Sequence, residues 1–375
     1  MSLVALAMPI MVIAADIDSE LGDNEVKLGK ESAKEVAKNY KLSDNAADLK
    51  HLRDMGAKIA SVANKTEINA LYGSSKVTPF DYTFDIIEDK DINAFSVPGG
   101  HIYVYRGLLN FVQSDHELAG VVAHEIIHAA HHHMVYLLKK QATLNNQLAI
   151  ALLATMIGGV RSADMQNVLM GVQLYQVAIL NGYGQEAERD ADNGGAILMQ
   201  EAGYNPVGLL TFLERLAKRP ELVDYGIYRS HPLDDERVKA AKAVIEGLGL
   251  PINRRQTTNA IVAQVTTNTV DDTQISDVSI DGKVIYRPAP TADKTSEVRA
   301  KETADRINKA LDSNIQMYEL SVDPLVGGVV ARGEALLVVS EADGKLMDKT
   351  PAEISKEAAA AIRNVIWRQL VDTIH

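Results

Sequence analysis

His124, Glu125 and His128 form an H-E-x-x-H inside Ser114 to Met134, SDHELAGVVAHEIIHAAHHHM. On a helix, positions i and i+4 share one face, about 6 Å apart along the axis. Two imidazoles so placed can hold one metal ion. Glu125 follows the first of them and falls beside that ion, where a carboxylate can accept a proton from a bound water. A helix with two buried, hydrogen-bonded histidines can carry the same five residues. A third ligand further along therefore decides between the two readings. His116-Glu117 is a decoy, because Gly120 stands where its second histidine would be.

The elements that must position these residues are also signalled. Ser114 and Glu117 make an S-x-x-E capping pattern. Leu118, Val121, Val122 and Ile126 give the apolar spacing, and no Gly or Pro interrupts His124 to Met134. One helix running through Met134 is expected, with His131, His132 and His133 as its polar end. A second acidic helix covers Gly184 to Ala196, GQEAERDADNGGA. Its Glu188 and Asp192 are i and i+4 and can face one site, although Glu186, Glu188, Asp190 and Asp192 together also fit a solvated acidic face. Three strands precede the first helix: Phe84 to Ile87, Asn93 to Val97 and His101 to Tyr105, with Pro98-Gly99-Gly100 between the last two. An exposed strand edge there can pair with an extended peptide, whereas spacing alone gives an ordinary hairpin. Ser32 to Leu71 reads as two amphipathic helices, with Ser43 as the expected cap of the second.

Composition bounds the rest. A length of 375 residues suggests two domains. Hydrophobic residues at 46% and charged residues at 23% exclude wholesale disorder. A net charge of −12 argues against nucleic acid as the main partner. The absence of cysteine excludes a disulfide framework and any Cys-ligated metal. Ser2 to Ala15 is uncharged and too short to span a bilayer. Its alternatives are an export leader, residues 1–15, or a buried helix. The acidic Asp16, Asp18 and Glu20 that follow favour the leader. Gln147 to Val160 and Val168 to Leu180 are apolar and read as helices closing over the core, or as a cover or surface for membrane or unfolded protein. Their Met156, Met165 and Met170 suit either.

After Gly249-Leu250-Pro251 the composition shifts. A β-rich connector is expected over 251–296, with a hairpin turning at Asp281-Gly282 and a linker at Thr291 to Lys294. A smaller α/β domain is expected over 297–375. It holds a helix from Val298 to Leu311, strands around Arg332-Gly333, and a last helix from Pro351 to about Ile374 that carries Trp367. Thr350 and Glu353 make its capping box. No repeat of ~34 residues is visible.

The run N-A-F-S-V-P-G-G-H-I-Y-V-Y-R-G-L-L followed by E-L-A-G-V-V-A-H-E-I-I-H resembles the M48 metallopeptidases, the family of the membrane CAAX-processing and HtpX-type proteases and of soluble periplasmic members. The likeness covers roughly Asn93 to Arg237. It implies an α+β class: a mostly helical zincin-type domain over 16–250 with a small sheet at the cleft. It implies one zinc per chain, held by His124, His128 and the Glu of E-x-x-A-D, which is Glu188, with Asp192 behind a ligating histidine and Glu125 as general base. The H-P-x-x-x-x-R segment supplies His231 and Arg237. His231 is expected either to stabilise an oxyanion or to take the open metal position and hold the site latent. Arg237 is expected to anchor that segment or the Asp192 region. Asn93, Ala94, Phe95 and Ser96 are expected along the substrate backbone. Ile127 departs from a common Gly and Gln185 from a common Arg; His133 matches a frequent His, while His131 and His132 do not. The resemblance thus implies an exported, periplasmic or extracytoplasmic bacterial zinc endopeptidase acting on unfolded or misassembled envelope proteins, with peripheral membrane contact left open. The alternative is a latent zinc-binding chaperone or assembly factor.

Overall fold

The computed structural model describes residues 17–143, 183–219, 226–270, 273–313 and 315–372. The expected leader and the apolar stretches 147–160 and 168–180 lie outside the described residues. The chain divides into two units, Met1–Ile252 and Asn253–His375, and each has its own apolar core.

The first unit opens with α1 (Ile17–Asn39) and α2 (Ala46–Ala63). Asn45, not Ser43, caps α2. Its Oδ1 accepts from the amides of Ala47 and Asp48 at 3.1 and 3.2 Å. Ser43 lies two residues too early to reach them and accepts from the Asn45 amide and Arg106 instead. Strands β1 (Thr83–Ile87), β2 (Ala94–Val97) and β3 (His101–Tyr105) follow, in the order β1-β3-β2. β3 is parallel to β1 and antiparallel to β2, with Phe95 opposite Tyr103. The β2–β3 turn uses Gly99 and Gly100 at φ 77° and 88°, values that a Cβ disfavours. β2 is thereby an edge strand.

A short α3 (Arg106–Phe111) leads to α4 (Asp115–Ala130), which carries the H-E-x-x-H. The Ser114 hydroxyl accepts from the Glu117 amide at 3.2 Å. The Glu117 carboxylate turns to the Gln113 amide and to Arg215. Contrary to expectation, α4 does not run through Met134. It stops at Ala130, His132 adopts φ 57°, and His133 begins α5 (His133–Thr143). Side-chain partners far away in sequence cause the break. His131 Nδ1 meets Asp190 Oδ2 at 2.5 Å, and His132 is held by Glu25 and Thr78 at 2.5 and 3.0 Å. These buried pairings offset the roughly 1–2 kcal/mol cost of a left-handed residue. The three histidines are therefore buried and paired, not a solvated helix end.

Four elements complete this unit: α6 (Gln185–Glu201), α7 (Val207–Ala217), α8 (Gly226–Ser230) and α9 (Asp235–Gly247). Helix α4 packs against α2, α6 and α7. It approaches α7 so closely that a Cβ on Gly120 would lie 2.9 Å from Leu209 Cα. Ile127 fills the space beside Gly194, where an added Cβ would sit 2.9 Å from its Cδ1. The branched residue on α4 is thus matched by a glycine on α6.

The second unit has two antiparallel three-stranded sheets: β4 (Ala263–Val270), β5 (Thr273–Ile280), β6 (Lys283–Tyr286), and β7 (Leu320–Asp323), β8 (Gly328–Ala331), β9 (Glu334–Val338). Helices α10 (Ser296–Asp312), α11 (Glu341–Met347) and α12 (Pro351–Asp372) accompany them. Asp281-Gly282 and Arg332-Gly333 turn the hairpins with positive φ at both residues, as tight hairpins require. The stretch expected as a connector is part of this unit. Val278, Ile280, Ile285 and Tyr286 share one core with Ile307, Leu337 and Ile362. Thr291 to Lys294 is a closed turn (Thr291 amide to Lys294 carbonyl, 2.8 Å). Among the described residues no helix is long and apolar enough to cross a membrane.

Because its core is self-contained, residues 253–375 expressed alone are expected to unfold in one cooperative urea transition. A non-cooperative trace would show that this core depends on the first unit.

Candidate metal centre

Helix α4 presents His124, Glu125 and His128 inward, α6 presents Glu188, Asp190 and Asp192, and His231 follows α8. All seven are at least nine-tenths buried. His124 Nε2 and His128 Nε2 are 3.0 Å apart. Glu188 lies 3.4 Å from the first and 3.5 Å from the second. His231 Nδ1 stands 3.3 Å from His124 Nε2 and 3.1 Å from Glu188 Oε1. Donors around a four-coordinate ion at 2.0–2.1 Å are about 3.3 Å apart. Three imidazole nitrogens and a carboxylate therefore converge as four ligands of one ion would. The donor set, nitrogen and oxygen without sulfur, suits zinc or a similar divalent metal.

The carboxylates behind these donors are tightly held. Asp192 Oδ1 is 3.0 Å from His124 Nδ1, which fixes that ring with Nε2 turned toward the site. Arg237 donates to both oxygens of Asp192 at 2.8 Å and lies 2.8 Å from Glu188 Oε2. It also donates to the carbonyl of Pro232 at 3.0 Å. Arg237 thus anchors both the His231 segment and the carboxylates. The ring of Tyr183 stacks on His128 with centroids 4.0 Å apart; sequence reading gave no sign of this residue. Asp190, read before only as part of an acidic face, is bound by His131 and His133.

Burial and charge compete at each titratable group. Burial pushes Glu188 up, but the positive His231 and Arg237 outweigh it and hold it well below the usual carboxylate range. Burial likewise opposes ionisation of Asp192, and Arg237 with His124 reverses the balance. For His124, burial favours the neutral ring, yet the hydrogen bonds to Asp192 and Glu188 push it up to about 10. His128 is driven well down, by burial first and by the charge on His124 second. His231 is raised, because Glu188 and Glu125 overcome its burial.

Glu125 lies beside the ligands. Its Oε1 is 3.2 Å from His231 Nε2, and Oε2 has no hydrogen-bond partner among the described residues. It lines an apolar cavity walled by Val121, Leu209, Phe212, Leu213 and Leu233. The segment that brings in His231 also meets the start of β2. Ser230 donates to Asn93 Oδ1 at 3.0 Å, and His231 Nε2 stands 3.3 Å from the Ala94 carbonyl. Ser96 bonds to Tyr183. Phe95, expected along a substrate, turns its side chain to the core and stacks on Tyr103.

Residues 58–245, half of the chain, match the family model described as Peptidase family M48. The chain is 24% identical over 247 residues to a beta-barrel assembly-enhancing protease of Yersinia pestis, covering 63% of this chain and 48% of that protein. It is 30% identical over 223 residues to the metalloprotease LoiP of Escherichia coli strain K12, covering 56% and 84%. It is 26% identical over 230 residues to the mitochondrial metalloendopeptidase OMA1 of Arabidopsis thaliana, covering 60% and 44%. The chain spans about half the length of the assembly-enhancing protease it matches.

Two outcomes follow from this electrostatic arrangement. In chelated protein, Arg237→Ala should cost about 3–5 kcal/mol in urea unfolding, because it strands two buried carboxylates; a cost below about 1 kcal/mol would contradict the pairing. A metal must displace the proton that His124 holds up to about 10. Apparent affinity should therefore rise with pH across the neutral range. At pH 7 calorimetry in buffers of different ionisation enthalpy should record roughly one proton released per ion, or more if His231 contributes. No release would contradict the assignment of charge.

Proposed function

The chain belongs to peptidase family M48, and from that premise we propose that it is a zinc-dependent endopeptidase whose resting site is closed by His231. The single observation that carries this reading is the convergence of His124, His128, Glu188 and His231 with Glu125 beside them. Zinc, when bound, would be held by the first three residues and would supply an activated water and polarise a peptide carbonyl. The chain's own groups do the rest. Glu125 Oε2, buried and unpartnered among the described residues, takes the proton from the attacking water and returns it to the leaving amine. Asp192 keeps His124 in its ligating orientation. Arg237 keeps Glu188 and Asp192 ionised.

His231 has two expected roles, and the geometry favours one. Its Nδ1 stands in the fourth corner, and its Nε2 touches both Glu125 and the Ala94 carbonyl. A substrate reaches the base and the β2 edge only when the Ser230–His231 segment withdraws. An extended polypeptide then pairs with the backbone of β2 without its sequence being read, which suits unfolded or misassembled chains. The name of the Yersinia relative ties that protein to β-barrel assembly, and the apolar Ser2 to Ala15 followed by acidic sequence suits export. We assign this chain on that basis to the bacterial envelope. The same closure favours, as second reading, a zinc-binding assembly factor that cuts rarely.

Cleavage of an unfolded model protein separates these readings. Glu125→Gln should retain zinc and lose at least about 100-fold in rate. His231→Ala should cut faster than the parent. A Glu125→Gln rate equal to the parent's would sink the mechanism, and an unchanged His231→Ala rate would sink the latch. Inactivity of both the parent and His231→Ala with zinc bound would favour the assembly factor.

A further inference from the structure

A ligating imidazole has a second nitrogen, and something must hold it. His124 meets this need directly with Asp192. His128 does not face a carboxylate. Its Nδ1 lies 2.8 Å from Nδ1 of another imidazole, His133. His133 Nε2 is 2.9 Å from Asp190 Oδ2 and 3.1 Å from the Tyr72 carbonyl. Asp190 Oδ1 in turn accepts the backbone amides of Leu71 at 2.5 Å and Tyr72 at 3.3 Å. His128, His133 and Asp190 are all at most 1% exposed. Resting on the reading that His128 holds the metal, we propose that His133 and Asp190 form a positioning relay. It selects the metal-binding tautomer of His128 and ties the order of the Leu71–Tyr72 backbone to metal occupancy.

The direction of every proton in the relay is fixed. A ring that gives its Nε2 lone pair to a metal carries its proton on Nδ1. That proton is donated to His133 Nδ1, which must offer a lone pair. His133 then carries its own proton on Nε2, where both neighbours, a carboxylate oxygen and a carbonyl oxygen, are acceptors only. In the reverse arrangement His133 would donate to His128, whose proton would move to Nε2 and occupy the metal's place. Asp190 favours the first arrangement because it only accepts there.

His131 Nδ1, His133 Nε2 and Asp190 Oδ2 also lie close enough together to suggest a second ion. Their spacing argues otherwise. Asp190 Oδ2 is only 2.5 Å from His131 Nδ1, far inside the about 3.3 Å between donors on one ion, and Asp190 Oδ1 is already taken by two backbone amides. This cluster is the anchored end of the relay, and its backbone contacts at Leu71 and Tyr72 extend it into the segment between α2 and β1.

The test uses the full chain and zinc. Competition with a chelator should show that His133→Phe weakens zinc binding about 10–100-fold. His133→Asn, which keeps an acceptor near the Nδ1 position, should recover most of the loss. In the zinc-loaded parent, nitrogen NMR of labelled histidines should find His133 protonated on Nε2 alone, and hydrogen exchange at the Leu71 and Tyr72 amides should slow on zinc addition. An affinity for His133→Phe within threefold of the parent, or a proton on His133 Nδ1 in the loaded parent, would overturn the relay while leaving the zinc site intact. A parent that binds no zinc would overturn both the relay and the reading beneath it.

Discussion

Arg237 buried against Glu188 and Asp192 is the interaction on which the first unit depends. Each of these carboxylates is at most 1% exposed, and an ionised group taken out of water costs several kcal/mol unless paired. The guanidinium meets both at 2.8 Å and also binds the carbonyl of Pro232. One side chain therefore neutralises Glu188, neutralises the carboxylate behind His124, and pins the segment that delivers His231. Lysine could not reproduce the planar fork that does this. Without the metal the site still carries organised charge, so the fold can hold its donors in place before any ion arrives.

Helix α6 distributes three carboxylates with separate roles. Glu188 faces His124, His128 and His231, Asp192 stands behind His124, and Asp190 reaches His131 and His133 on the far side of His128. Helix α4 answers with His124 and His128 on one face and the displaced His131–His133 segment beyond its end. The two helices approach closely through Ile127 against Gly194. That closeness makes the polar network compact and excludes water from it, and a partly satisfied network of this kind would be costly.

The H-E-x-x-H and the Glu188–Asp192 pair were legible in the sequence, because helical periodicity alone puts i and i+4 together. The three strands and the Asp281-Gly282 turn were legible for similarly local reasons. The end of α4 was not. No Gly or Pro marks Ala130, and the break is imposed by Glu25, Thr78 and Asp190, which lie far away in the chain. Burial of Asp190 was hidden in a run of acidic residues, since composition does not say which face of a helix turns inward. Tyr183 carried no motif at all. The residues expected as a β-rich connector joined the second core because Val278 and Tyr286 are buried with Ile307, Leu337 and Ile362, a pairing that no local pattern announces. The sequence left the role of His231 open between two chemistries, and no local spacing shows that its Nδ1 lies beside His124 and Glu188.

X-ray absorption at the zinc edge on the full chain loaded with one equivalent of zinc tests the central claim most directly. The account predicts one tightly held ion with about four nitrogen or oxygen donors at 2.0–2.1 Å and outer-shell scattering from three imidazoles, one of them lost in His231→Ala. A six-coordinate, water-rich ion, or a spectrum with fewer than two imidazoles, would contradict it.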